Sequence, residues 1–143
     1  MQMQDKIAFV TGAGRGIGRG EALALAKEGA RVIVNDFGGT ASGDGGDATP
    51  AEEVVAEIKK MGGDALPNFG NVVSMADGEA IVKQAMDTWG RLDILVNNAG
   101  ILRDRIIFNM SEEEWDAVIA VHLKGHFTIT RFASIVMRQQ RGG

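Results

Sequence analysis

The stretch Val10-Thr11-Gly12-Ala13-Gly14-Arg15-Gly16-Ile17-Gly18-Arg19-Gly20 places five glycines in eleven positions, directly behind the apolar run Ile7-Ala8-Phe9-Val10. Glycine weakens any regular element by roughly 0.5–1 kcal/mol relative to alanine. A chain that concentrates it at the end of its first strand is providing for a close approach to the main chain. The dinucleotide spacing G-x-G-x-x-G does not fit, because counting from Gly12 or Gly14 ends on Ile17 or Arg19. Nor does the phosphate loop that ends in Gly-Lys. What stands here is Thr11-Gly12-x-x-x-Gly16-x-Gly18. Between a strand and a helix its mechanics are still those of a phosphate-binding turn. Gly12 allows the sharp turn, Gly16 lets a phosphate reach the backbone, and Gly18 lets the helix sit close to the sheet. The unpaired N–H groups at the helix start then face an anion.

Outward from this turn, strands alternate with helices. The spacing predicts a first helix over residues 16–28, with Gly18, Ala22, Leu25 and Ala26 on one face and Gly29 as its stop. Arg31 to Asp36 reads as a strand buried on both faces. Phe37 to Ala48 reads as a polar loop, followed by a capping box at Thr49-Pro50-Ala51-Glu52 and a helix that buries Val54, Val55, Ile58 and Met61. A weaker strand, interrupted by Pro67, lies within residues 64–72. Ser74 opens a third helix with Ile81, Val82, Ala85 and Trp89 inward. Residues 92–97 form a fourth strand. Ser111-Glu112-Glu113-Glu114 is a second capping box, opening one long helix to about Arg138. This succession predicts an α/β fold, a Rossmann-like doubly wound parallel sheet of which the first four strands are present, in the order 3-2-1-4. Residues 1–143 read as one NAD-binding domain, incomplete at its C-terminus.

Composition narrows the function. A net charge of −4 argues against nucleic acid or an anionic membrane as partner, since both need a basic face. There is no cysteine, so neither a disulfide nor thiolate chemistry is available. No metal-ligand cluster stands out. The N-terminal residues lack the parts of a signal peptide, so the expected compartment is the cytoplasm. Asp36, 18 residues beyond Gly18, stands where a carboxylate accepts hydrogen bonds from an adenosine ribose and repels a 2′-phosphate. That favours NAD over NADP.

Thr11-Gly12-x-x-x-Gly16-x-Gly18, the run Asn97-Asn98-Ala99-Gly100 and the long helix after Trp115 together resemble the short-chain dehydrogenase/reductase superfamily. The resemblance covers essentially the whole chain. Asn35-Asp36-Phe37-Gly38-Gly39, the continuation Ile101-Leu102-Arg103-Asp104-Arg105 and Val121-His122-Leu123-Lys124-Gly125 are similar to its (3R)-hydroxyacyl-CoA dehydrogenases, the group found in peroxisomal multifunctional enzymes of type 2 and bacterial relatives. The resemblance implies a small-molecule alcohol, ketone or acyl thioester as substrate, and a homo-oligomer. It places Gly12, Arg15, Gly16, Ile17 and Gly18 on the pyrophosphate and nearby ribose of NAD, Asp36 on the adenosine ribose, and Asn71 and Val72 beside the adenine. Asn97, Ala99 and Gly100 would line the sheet edge under the cofactor. The competing readings are a 3-oxoacyl carrier-protein reductase, which generally uses NADPH, and a truncated dinucleotide-binding module without catalysis.

Two departures bear on catalysis. His122 stands where the superfamily often has an asparagine that organises a proton relay, which makes it the one catalytic candidate in this chain. Its helical stripe with Trp115, Ile119 and His126 reads it instead as a packed core residue. The second departure is larger. The superfamily's serine and Tyr-x-x-x-Lys are missing, and the chain contains no tyrosine at all. The chain ends where the fifth strand would begin, so on its own it is expected to be inactive.

Overall fold

The computed structural model describes residues 1–38 and 49–143. The expected loop at Phe37 to Ala48 therefore lies largely outside the described residues, as does the Thr49 side chain of the first capping box. Four parallel strands, β1 (Ile7–Val10), β2 (Arg31–Asn35), β3 (Ala65–Asn68) and β4 (Ile94–Val96), form one sheet in the order β3-β2-β1-β4. This is the order expected from the alternation. Ile7 pairs with Arg31 and Val10 with both Val34 and Val96, so β1, like β2, is paired on both sides. Pro67 lies on β3, at the sheet edge, where a missing N–H costs no ladder bond on the outer side. Strands β3 and β4 are shorter than their sequence windows.

Successive side chains of a strand point to opposite faces, and the core divides accordingly. Ala8, Val10, Val32 and Val34 pack against α1 (Gly16–Lys27) and α2 (Thr49–Lys60) through Ala22, Ala26, Val54 and Ile58. On the other face Ile7, Phe9 and Ile33 meet α3 (Met75–Trp89) and α5 (Gly125–Gln140) through Ile81, Val82, Ala85, Ile129 and Ala133. Met61, expected inside, lies one residue past α2 and is exposed. Trp89 is half-buried at the end of α3. Ser74 caps α3, its Oγ accepting from the Asp77 N–H at 3.1 Å. Gly90 ends it at φ +74°, the left-handed geometry of a helix stop. The Ser111 capping box forms as read, with Ser111 Oγ accepting from Glu114 N–H and the Glu114 carboxylate accepting from Ser111 N–H.

The long helix is the main departure. It consists of α4 (Glu112–Ile119), a π-helical turn over Ala120–Lys124, and α5. A π turn advances each residue by less than an α turn does, so side-chain phase slips across it. The stripe of Trp115, Ile119, His122 and His126 expected in a core lies at the surface on both sides of that turn. Trp115 and Ile119 are exposed, and so are both histidines, while Ile129 beyond the turn is buried. His122 is therefore not a packed core residue.

Candidate dinucleotide site

Because the strands are parallel, their carboxyl ends share one edge of the sheet. There the chain leaves β1 for α1 on one face while β4, on the other side of β1, leads toward the opposite face. Ligands of open α/β sheets bind at such a reversal. The glycine turn occupies it. Gly12 adopts φ +61° and Gly16 φ +59°. A β-carbon on Gly16 would meet nothing within 4 Å, so this bend opens on free space. Arg15 precedes α1 in extended geometry, its side chain makes no capping hydrogen bond to the helix start, and the first turn carries no acidic residue. The positive end of α1 and its amides are thus presented outward, with Arg15 and Ile17 exposed beside them.

Gly12 and Gly18 are constrained from behind. A β-carbon on Gly12 would lie 2.9 Å from Ala99 Cα, and one on Gly18 would lie 2.5 Å from the Gly12 carbonyl oxygen. Thr11 joins β1 to the end of β4. Its Oγ1 accepts from the N–H groups of Asn98 and Ala99, each at 2.9 Å. Asn98 Nδ2 returns two bonds, to the carbonyl oxygens of Thr11 and Gly12, at 3.1 and 3.2 Å. The structure therefore brings Gly12, Gly16, Gly18 and Ala99 together around one turn, with Gly100 following directly. The sequence reading left Thr11 without a role, since a hydroxyl that ties two strands has no local signature.

Asp36 leaves β2 on the same edge. Its Oδ2 accepts from Gly14 N–H at 3.0 Å and its Oδ1 from Gly38 N–H at 2.7 Å. A β-carbon on Gly14 would strike Asp36 Oδ2 at 2.4 Å. Gly14 was not among the expected site residues. The carboxylate is half-buried over the glycine turn, and each oxygen retains lone-pair capacity for a further donor. Beneath it the buried Asn35 donates from Nδ2 to Asn68 Oδ1 and the Gly70 carbonyl, fixing the ends of β2 and β3.

Asn71 and Val72 are used locally. Asn71 Oδ1 accepts from Val73 N–H at 3.1 Å and its main-chain N–H donates to Asp77. The Val72 carbonyl accepts from the buried Thr128 hydroxyl on α5. Asn97 donates from Nδ2 to Thr130 Oγ1 at 3.0 Å, and its buried Oδ1 has no partner among the described residues. It stands at the mouth of an open, largely apolar groove of about 460 Å³ between β4 and α5, lined by Ile94, Leu95, Thr130, Ala133 and Met137. His122 lies apart from the glycine turn, its Nε2 at 3.1 Å from Ile101 N and 2.9 Å from Ile101 O. Among the described residues no group of three His, Asp or Glu side chains converges as metal ligands would.

The residues at this edge fit a dinucleotide: an open left-handed glycine, a helix start that the Arg15 side chain leaves uncapped, and a carboxylate held at the next strand end. The model of the short chain dehydrogenase family matches residues 6–143. The chain is 48% identical to the mouse peroxisomal multifunctional enzyme type 2 over its full length, spanning 19% of that protein. It is 46% identical to the hydroxyacyl-CoA dehydrogenase ChsB1 of Mycobacterium tuberculosis, with 96% of this chain and 42% of that protein covered. A crystal structure of a short chain dehydrogenase from Mycobacterium avium superposes with a TM-score of 0.89 at 49% identity, covering 99% of this chain and 49% of that one. The chain thus spans half or less of the length of these relatives. No helix among the described residues is long and apolar enough to cross a membrane.

Proposed function

The chain belongs to the short chain dehydrogenase family, and on that premise we propose that it is the NAD-binding domain of an oxidoreductase. Its reaction interconverts a secondary alcohol, a 3-hydroxyacyl thioester of coenzyme A, with the corresponding ketone. The substrate class is supported by the 46% identity to a protein named hydroxyacyl-CoA dehydrogenase. NAD, when bound, supplies the nicotinamide that exchanges hydride with the carbinol carbon.

The residues of this chain bind and orient. Gly12 shapes the turn, and Gly16 with the α1 amides receives the pyrophosphate beside Arg15 and Ile17. Gly18 keeps α1 close to the sheet. Asp36 takes the adenosine ribose, Asn71 and Val72 flank the adenine, and Asn97, Ala99 and Gly100 line the floor toward the nicotinamide. A tyrosine next to a lysine would move the proton at the substrate oxygen, as in the superfamily. The chain has no tyrosine, so we assign that step to a part of the protein outside it.

One observation carries the choice of NAD: the Asp36 carboxylate is fixed over the glycine turn by two backbone N–H groups. A 2′-phosphate, with nearly two negative charges, would meet that carboxylate unfavourably. Titration of the full-length protein with NADH and NADPH tests this reading. Tighter NADH binding supports it, and tighter NADPH binding overturns it in favour of a 3-oxoacyl carrier-protein reductase.

Self-association belongs to the same proposal. Trp115, Ile119, Leu123 and Phe127 recur every four residues along the exposed side of α4, the π turn and α5. A second copy offers the same stripe, which makes the contact self-complementary about a two-fold axis. We keep the cytoplasm as the compartment, against the peroxisome in the name of the mouse relative. Fractionation of cells expressing the tagged full-length protein decides between them.

A further inference from the structure

Beneath Asp36, on the sheet face that buries Ile7, Phe9 and Ile33, side-chain amides from Asn35, Asn68 and Gln84 form a chain of hydrogen bonds. Asn35 ends β2 and is 1% exposed. Asn68 ends β3 and Gln84 lies on α3, both half-buried. Asn35 Nδ2 donates to Asn68 Oδ1 at 2.8 Å and to the Gly70 carbonyl oxygen at 3.0 Å. Asn68 Nδ2 donates to Gln84 Oε1 at 2.8 Å, and Gln84 Nε2 donates to the Pro67 carbonyl oxygen at 3.1 Å. Gly70 N–H donates back to Asn68 Oδ1 at 2.9 Å. A β-carbon on Gly70 would lie 3.1 Å from that same oxygen.

This chain of amides has one direction. The Pro67 and Gly70 carbonyls only accept and the Gly70 N–H only donates, so Asn68 must turn its oxygen toward Gly70 and Asn35 and its nitrogen toward Gln84. Turning any one amide over would set donor against donor or acceptor against acceptor. Such a network adds little stability over apolar side chains of the same shape, since each bond replaces one the amide would make with water. What it adds is a single arrangement of the groups it joins. Those groups belong to separate segments of the site. The Asn35 carbonyl accepts from Ala13 N–H in the glycine turn at 2.7 Å, and Asp36 N–H donates to the Asn68 carbonyl at 3.0 Å. Asn71 follows Gly70 directly.

We propose that Asn35, Asn68 and Gln84 are positioning residues for the adenosine half of the ligand, holding Asp36 and Asn71 in one fixed relation. The inference rests on the dinucleotide site proposed above and deepens it. Among the described strands β3 pairs with β2 alone, so backbone bonds hold it from one side, and Gln84 anchors its end from α3. On the nicotinamide side Asn97 and Ala99 are tied to Thr130 and Thr11 instead. The two halves of the ligand are thus served by separate sets of hydrogen bonds, and the amide chain belongs to one of them.

The test uses the full-length protein as wild type, Asn35→Leu and Gln84→Met, both substitutions close in shape to the native side chain. Calorimetry gives dissociation constants for NADH, for ADP-ribose, which carries the adenosine half, and for reduced nicotinamide mononucleotide, which carries the other half. Asn35→Leu should raise the NADH and ADP-ribose constants about tenfold and Gln84→Met about threefold, the range of one or two lost hydrogen bonds. The mononucleotide constant should stay level in both variants. Gln84 is half-buried on a helix, so Gln84→Met keeps the test decisive if Asn35→Leu does not fold. Unchanged ADP-ribose affinity in the folded variants overturns the inference. So does an equal loss for ADP-ribose and the mononucleotide, which would mark a general loosening of the fold. Wild-type protein that binds neither NADH nor ADP-ribose overturns the dinucleotide reading itself, whereas wild type that binds both, matched by the variants, overturns only the positioning role.

Discussion

Gly18 and Asn98 compete for one space: a β-carbon on the glycine would lie 2.3 Å from Asn98 Nδ2. The amide cannot simply turn away, because it is bonded to the carbonyl oxygens of Thr11 and Gly12. Gly18→Ala should therefore cost about 1–3 kcal/mol, the usual range for overpacking a tight site. It should also displace α1 enough to weaken NADH binding. Asn98→Ala removes two hydrogen bonds and should cost about 1–2 kcal/mol. The double variant should recover only part of the loss, since the new methyl still meets the Gly12 carbonyl oxygen at 2.5 Å. Denaturant melts of the four proteins check this, and full additivity would contradict it.

Asp36 governs cofactor choice in the proposed function. Asp36→Asn retains an oxygen for one of the Gly14 and Gly38 N–H groups but loses the charge. Its NADH dissociation constant should rise by about tenfold, or ~1.4 kcal/mol, while NADPH affinity rises or stays level. Fluorescence titration with both cofactors measures the ratio. An unchanged NADH-to-NADPH preference would remove Asp36 from the ribose subsite.

Asp93 tests the pH dependence of the fold. Burial pushes its carboxyl up, but hydrogen bonds from Arg91 and the Ile7 N–H, with the charges of Arg91 and Lys6, outweigh that and hold it below the usual carboxylate range. A depressed folded pKa means that the stabilisation is present above the unfolded pKa of about 3.9 and disappears as pH falls through the folded value. Asp93→Asn should therefore lose about 2 kcal/mol at neutral pH, the scale of a charged hydrogen bond. Its stability should then approach that of the wild type in strong acid. Parallel melting curves at neutral and acidic pH would show the difference narrowing. A constant gap would contradict the assignment.

Leu123 and Phe127 are exposed large apolar side chains on the stripe assigned to a second copy. Leu123→Glu with Phe127→Glu should shift the full-length protein toward monomer in sedimentation or light scattering. Its melting temperature at high dilution should change little, because neither side chain belongs to a core cluster. An unaltered mass would place the contact elsewhere.

The parts legible in the sequence are those that depend on local chemistry. Alternating strands and helices fixed the sheet order, because parallel strands joined by right-handed crossovers leave few arrangements. The Ser74 and Ser111 caps were readable because a hydroxyl three residues before an N–H it can accept from is a local geometry. Gly12 and Gly16 were readable because left-handed backbone favours glycine. Other contacts of the site join distant stretches of chain, among them Thr11 to Asn98, Asp36 to Gly14, and Val72 to Thr128. No periodicity records those pairs.

By itself the sequence determined the α/β order, the glycine turn and the carboxylate beyond it, since each follows from spacing along a few residues. Only the tertiary structure decided where His122 points and what it meets. A single π turn changes the phase of the side chains through it, and whether a helix admits one depends on the packing around it rather than on its own pattern.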